Sequence, residues 1–342
     1  MKWPLIRYLP KKTNFRFVKS AKFFATLSIL CVLASFASFA SAGFRENPIA
    51  LYNAAAGGPL EKLGAVGSKA FNLGIDFQGG TLIEFTAPFA IDLSRVREYA
   101  DRADVGEVQV QNFGDDTHAV VRFENQPGRD TNEAAEAVQA QIRLAVDSVS
   151  FQNVAVVGPK VSGELFMSGV IALGLAIVLM LVYIWFRFEL QFGIGSVMAL
   201  FHDVILTMGL LSVLRIEFSL TTIAALLTIV GYSMNDTVVV FDRLRENLRK
   251  YKRMPIAEVI DLSINETLSR TIITGLTAIL ALFSLLYLGG PTLFPFTFAM
   301  IFGIVIGTYS SIYVAAPSVL LLRDKRRSAG SVAPEAEAQT SG

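Results

Sequence analysis

Residues 231–247 read GYSMNDTVVVFDRLREN, a stretch that begins within an apolar run and ends in a cluster of charges. Asp236 stands inside the apolar part and precedes Asp242 by a distance of about 9 Å at the α-helical rise. A charged carboxylate held inside a membrane costs several kcal/mol unless it is paired, hydrated or protonated. The stretch therefore indicates a membrane-spanning helix whose buried acid has either a compensating partner or a functional role.

The rest of the chain repeats the apolar pattern. Of its 342 residues, 53% are hydrophobic and only 17% are charged. The apolar residues fall in runs of about 20, the length that crosses a bilayer core. They predict a polytopic α-helical membrane protein with six transmembrane helices, at 23–43, 164–186, 193–213, 219–241, 271–289 and 295–322.

Basic residues predict the orientation of these helices. Segment 1–22 is basic and has no acid, the connection after the fourth run reads DRLRENLRKYKRM, and the tail 323–342 begins RDKRR. The positive-inside rule places all three in the cytoplasm and the loop 44–163 outside. The remainder of the tail predicts disorder. A secretory signal cleaved near ASFASAG is an alternative for the first run, although its length favours a retained anchor.

The loop 44–163 predicts a small α+β domain. Its strand-like and helical runs follow the order ββαββαβ, as expected for an antiparallel, ferredoxin-like sheet with helices on one face. The motif GIDFQGGT contains Gly74, Asp76, Gly79, Gly80 and Thr81. We expect a hairpin turn at Gly79–Gly80, with Asp76 solvated or capping, or else a close backbone approach. A phosphate loop is excluded because no Lys-Ser/Thr pair follows.

Two further polar sites interrupt the apolar runs. Arg270 stands at the cytoplasmic edge of the fifth run, at a depth similar to that of Asp236 and Asn235. A guanidinium keeps its proton and can hold a nearby carboxylate ionised, so separating Arg270 from Asp236 would favour proton uptake. The alternatives are a neutral, hydrogen-bonded Asp236 and an Arg270 that extends to the headgroups.

His202 and Asp203 lie near the middle of the third run. Neighbours on a helix point about 100° apart, so we do not require them to touch. They extend a polar path toward Asp236, or they bond to adjacent helices.

The sequence also narrows the class of function. It has no Walker loop, and two histidines and one cysteine offer no zinc site, so we expect neither ATP use, nor a cofactor, nor a metal. The acidic loop argues against nucleic acid, and the juxtamembrane basic residues suit anionic lipid. A passive scaffold remains open. An intramembrane aspartyl protease would need Asp203 and Asp236 as a dyad, but their depths differ by about 6 Å, and we expect no enzyme.

Four segments together resemble the SecF family of bacterial preprotein translocase subunits: LGIDFQGGTLIEF, ALFHDVILTMGL, GYSMNDTVVVFDRLREN and INETLSRTIITGLT. The resemblance extends from residue 71 to about 322. It implies half of a resistance-nodulation-division type transporter, whose other six helices come from SecD. It also implies association with YajC and the SecYEG channel in the inner membrane. The complex would use the proton-motive force to complete export of a translocating preprotein. The family's proton-path carboxylate and arginine fall on Asp236 and Arg270, and the role of His202 and Asp203 stays open.

Overall fold

A computed structural model describes residues 13–41, 70–126 and 129–320. Six of its helices are long and apolar enough to cross a membrane, which confirms the predicted polytopic helical architecture. The elements, in chain order, are α1 Phe17–Ala40, β1 Asn72–Leu73, α2 Ile75–Gln78, β2 Gly80–Thr86, α3 Leu93–Asp101, β3 Val108–Phe113, β4 Asp115–Phe123, α4 Thr131–Ala145, β5 Ser150–Val157, α5 Pro159–Arg187, α6 Leu190–Leu214, β6 Glu217–Phe218, α7 Leu220–Lys250, α8 Ile256–Leu288 and α9 Gly290–Ser310. The predicted disordered tail lies outside the described residues.

Helices α7 and α8 extend well beyond their apolar runs. The basic stretch after Asp242 continues α7 to Lys250, and α8 begins at Ile256, before the run that starts at residue 271. The extensions are helical because they are amphipathic: Leu244 of α7 packs in one buried cluster with Ile260 of α8. Their charged faces pair as well, with the Arg243 guanidinium 2.7 Å from the Glu266 carboxylate.

The helices α6, α7 and α9 form the interior of the bundle, whereas α5 is almost entirely exposed. Helix α9 continues into a π-helical turn, Ser311–Ala315. Pro317 follows this turn and has no backbone N–H to donate to the carbonyl four residues earlier, which favours the wider turn. Ser310, the last residue of α9, contacts α6, and Ser311, the first residue of the turn, contacts α7.

The α+β domain is a four-stranded antiparallel sheet of strand order β3-β4-β2-β5. With α3 and α4 it forms the βαββαβ arrangement of a ferredoxin-like fold, which is the predicted ββαββαβ order without its first strand. Phe85 of β2 and Val121 of β4 point into a core closed by Val138 and Ile142 of α4. The side chain of Asp92 caps α3 by accepting hydrogen bonds from the backbone N–H groups of Ser94 and Arg95.

The predicted first strand of this domain, and its hairpin at Gly79–Gly80, are wrong. Asn72–Leu73 pairs in parallel with Glu217–Phe218, which lies in the connection between α6 and α7. After Gly74, the four residues Ile75–Gln78 form the single helical turn α2. The two glycines then adopt φ angles of 75° and 114° and lead the chain into β2. The segment is thus a link between the sheet and the membrane-spanning helices.

Candidate functional site

Asp236 lies at a junction of three membrane-spanning elements. Its side chain is buried on α7 and accepts a hydrogen bond of 2.6 Å from the Thr271 hydroxyl of α8. The Ser311 hydroxyl, at the start of the π-helical turn, donates to its other carboxylate oxygen at 3.0 Å. Neither hydroxyl was a predicted site residue, since serine and threonine are common in membrane helices and carry no distinctive sequence pattern.

Arg270 does not contact Asp236 in this structure. Both Arg270 and Asn235 are exposed on their helices, and among the described residues no ion pair joins the guanidinium to the Asp236 carboxylate. Arg270 directly precedes Thr271, so its side chain leaves α8 about 100° away from the hydroxyl that bonds Asp236. Hydroxyl groups, rather than the expected guanidinium, therefore hold Asp236 in this conformation.

His202 and Asp203 form a second buried group on α6. The His202 Nδ1 lies 2.9 Å from an Asp203 carboxylate oxygen, so the two side chains touch although they are neighbours in the sequence. The other oxygen accepts hydrogen bonds from the Ser310 hydroxyl at 2.7 Å and from the Ser233 hydroxyl. The imidazole stacks on the Tyr309 ring, with 5.9 Å between the ring centroids. Within the described part of the chain, the buried His202 Nε2 has no hydrogen-bond partner.

Close packing of α9 against α7 brings the two groups together. A Cβ atom added at Gly307 would lie 2.9 Å from the Ser233 Cβ, so only glycine allows this approach. As a result Ser310 reaches Asp203 while Ser311 reaches Asp236. The same run also contains Thr297, Thr308 and Ser318, so the pair of serines is not a distinctive signal in the sequence.

The two carboxylates do not form a protease dyad. A dyad needs two carboxyl groups that share one proton. Here Asp203 and Asp236 bond to different hydroxyl groups, and in the described residues no hydrogen bond joins them. Asp203 and Asp236 therefore occupy two separate polar sites.

The GIDFQGGT motif forms a joint between the sheet and α7. The Asp76 carboxylate accepts a hydrogen bond of 3.0 Å from the backbone N–H of Leu220, the first residue of α7. At this end of a helix, the helix dipole stabilises a negative charge. The backbone N–H of Gly74 donates to the Phe218 carbonyl at 3.0 Å. Asp76 is therefore a cap, as one prediction had it, but for a distant membrane-spanning helix.

Side chains of the sheet complete this joint. The Arg122 guanidinium of β4 lies 3.0 Å from the Glu217 carboxylate and donates to the Leu73 carbonyl at 3.2 Å. Thr81 is buried and donates to Asn125 at 2.8 Å. Gly80 approaches the backbone so closely that an added Cβ would lie 2.6 Å from the Phe123 carbonyl oxygen. All five predicted motif residues thus lie at or beside the joint.

Comparison with known proteins gives one consistent family. Residues 137–325 match the family model described as protein export membrane protein SecD/SecF, C-terminal, and residues 64–87 match the SecD/SecF GG motif. The chain is 49% identical to the protein translocase subunit SecF of Cereibacter sphaeroides over 259 residues, 73% of this chain and 80% of that protein. It is 38% identical to SecF of Rickettsia rickettsii over 94% of this chain and 96% of that protein.

A solved structure agrees with these relatives. The crystal structure of SecDF, a translocon-associated membrane protein from Thermus thermophilus, is 31% identical and superposes with a TM-score of 0.77. The match covers 93% of this chain but 40% of the SecDF chain, so this chain corresponds to less than half of that protein. Taken with the buried acids and the joint at the GG motif, these likenesses show that the chain belongs to the SecD/SecF family of protein export membrane proteins.

Proposed function

We propose that this chain is the SecF-type subunit of a protein export complex and that Asp236 carries the proton that drives it. In this proposal the chain works with SecD, whose six helices supply the other half of the transporter-like unit. The pair uses the proton-motive force to promote late steps of preprotein export across the bacterial inner membrane. SecYEG and YajC are the partners that the family implies, and both termini of this chain face the cytoplasm.

The observation that carries this proposal is the burial of Asp236 among hydroxyl groups of two other elements. As an anion, the carboxylate accepts hydrogen bonds from Thr271 and Ser311. Once protonated, the carboxyl group has an O–H that donates a hydrogen bond, and it accepts hydrogen bonds from the two hydroxyl groups less strongly. One proton moving down 100 mV releases about 2.3 kcal/mol, which is comparable to these hydrogen bonds. Proton binding can therefore change how α7 packs against α8 and α9.

The joint gives this change a route to the α+β domain. Leu220, whose backbone N–H is capped by Asp76, lies on the same helix as Asp236, about 24 Å away at the α-helical rise. A shift of α7 is thus transmitted through β6 and β1 to strand β2. We propose that this movement acts on the emerging polypeptide outside the membrane.

The test is completion of preprotein export in membrane vesicles that contain SecD, with and without a proton gradient. In the wild type we expect the gradient to accelerate export. Asp236→Asn keeps the side-chain shape but cannot take up a proton, so we expect it to abolish the acceleration. Asp242→Asn serves as the matched control, because Asp242 is on the same helix but is partly exposed and paired with Arg187.

An Asp236→Asn variant that responds to the gradient as the wild type does would contradict the proposal. Asp236 would then be a structural residue, and a scaffold that carries no protons would be the better description. Loss of the response in both variants would point instead to damage to α7.

A further inference from the structure

Two consecutive serines contact the two buried acids separately. Ser310, the last residue of α9, donates to Asp203 at 2.7 Å. Ser311, the first residue of the π-helical turn, donates to Asp236 at 3.0 Å. Each serine also has a second acceptor three residues earlier on its own helix, the Gly307 carbonyl at 3.1 Å and the Thr308 carbonyl at 2.9 Å.

A hydroxyl group has a single hydrogen, so each serine must choose between its two acceptors. An ionised carboxylate is the stronger acceptor and takes that hydrogen. A protonated carboxyl group can donate its own hydrogen to the serine oxygen, and the serine hydrogen is then free for the backbone carbonyl. Such bonds from serine to the preceding helical turn bend or loosen helices. The protonation state of each acid is thereby passed to the backbone where α9 becomes π-helical.

We propose that Ser310 and Ser311 couple Asp203 to Asp236, so that proton binding at one acid alters the π-helical turn Ser311–Ala315 and thereby changes proton binding at the other. The two acids are not equivalent, since Asp203 also has His202 and Ser233 as partners whereas Asp236 has Thr271. The inference rests on the proposed function for the source of its protons, but its test needs no export.

Other titratable or charged groups surround the cluster. They are Cys31 on α1, His202 on α6, Tyr232 on α7, Arg270 on α8, Tyr309 on α9 and Tyr313 in the π-helical turn. Of these titratable or charged groups, His202 is the one for which the described residues show a hydrogen bond to either carboxylate. The Tyr309 hydroxyl instead bonds to Ser28 and to the Phe24 carbonyl. Ser310 and Ser311 therefore connect the two acids to the segment where α9 becomes π-helical, in addition to the contact of Ser233 on α7 with Asp203.

The experiment is an infrared pH titration of the full chain with SecD in lipid bilayers, following the C=O stretch of protonated carboxyl groups. Asp203→Asn and Asp236→Asn assign the two bands. With both serines present, we expect Asp236→Asn to move the midpoint of the Asp203 band by about one pH unit, the equivalent of one hydrogen bond. We expect Ser310→Ala or Ser311→Ala to remove that shift, and Ser311→Thr, which retains a hydroxyl group, to restore it.

Ser318→Ala is the matched control. Ser318 is buried just after the same turn and donates to the Ala315 carbonyl at 2.7 Å, but contacts no carboxylate within the described residues. It should leave the shift intact. A shift that persists without either serine would show direct electrostatic coupling and overturn the inference, as would an Asp203 band that never titrates. Either result leaves the export test of Asp236 unaffected, so the two proposals fail separately.

Discussion

Gly80 is a residue at which backbone geometry alone predicts the effect of a substitution. Its φ of 114° lies where side chains are strained, and an added Cβ would meet the Phe123 carbonyl oxygen at 2.6 Å. We expect Gly80→Ala to destabilise the sheet by about 2 kcal/mol, so that amides of β2 and β4 exchange with solvent about 30-fold faster. Hydrogen exchange with mass spectrometric detection measures this.

The control for Gly80 is Gly163→Ala. Gly163 lies in α5, where nothing is within 4 Å of an added Cβ. Alanine favours helix by about 1 kcal/mol over glycine, so exchange in the sheet should not change. Equal exchange rates in Gly80→Ala and wild type would mean that the backbone can relax at this position, contrary to the prediction.

At the scale of single residues, the sequence identifies the acids better than their partners. Asp236 and Asp203 are recognisable because a carboxylate is costly in an apolar run. Arg270 was predicted to hold Asp236 because their depths are similar, yet the structure has Thr271 and Ser311 in contact with it. Depth follows from counting residues, but the direction of a side chain depends on how each helix is rotated against its neighbours. That rotation is set by packing, which a single sequence does not disclose.

At the scale of elements, a stability prediction concerns the joint between the sheet and α7, where β1 pairs with β6. Arg122 is buried and pairs with Glu217 at 3.0 Å, so Arg122→Ala leaves a half-buried carboxylate without its cation. We expect a loss of about 2 kcal/mol, seen as faster hydrogen exchange of the amides in residues 71–78. In a double-mutant cycle, adding Glu217→Gln should cost little more, because the pair is already broken.

Arg102→Ala provides the comparison for this pair. Arg102 lies 2.7 Å from Glu98, but both side chains are more than half exposed. Exposed pairs contribute about 0–1 kcal/mol, so this change should leave the joint undisturbed. Strictly additive effects of Arg122→Ala and Glu217→Gln would show that the two groups act independently and that the joint is held by its backbone bonds alone.

The ferredoxin-like elements were predictable from local patterns, and the joint was not. Alternating apolar residues identified β3 and β4, and Asp92 identified the start of α3. The run FNLGIDFQ looks like a strand locally, but its backbone partner is a two-residue segment between α6 and α7. Parallel pairing over so long a separation has no local turn signal. The same reason explains why Asp76 could be predicted as a cap without its helix being known.

The whole molecule presents most of α5 and α8 to its surroundings, while α6, α7 and α9 are packed inside. Exposed faces of this kind suit lipid or a second set of helices. The apolar runs alone sufficed to predict the number of spans, because the length of a bilayer core is fixed. They did not predict that α7 continues to Lys250 or that α8 begins as early as Ile256, since amphipathic extensions resemble the helices of soluble proteins.

Orientation is the last property of the whole molecule that a measurement can decide. In a Cys31→Ser background, Glu98→Cys places a lone thiol at an exposed position of α3, and Lys252→Cys places one in the basic turn after α7. Because basic segments stay inside, a membrane-impermeant maleimide added to spheroplasts should label Glu98→Cys and spare Lys252→Cys until the membrane is opened. Labelling of Lys252→Cys from outside would show that the chain has the opposite orientation in the membrane. The α+β domain would then face the cytoplasm, where it could not act on an emerging polypeptide, and the proposed use of Asp236 would fail with it.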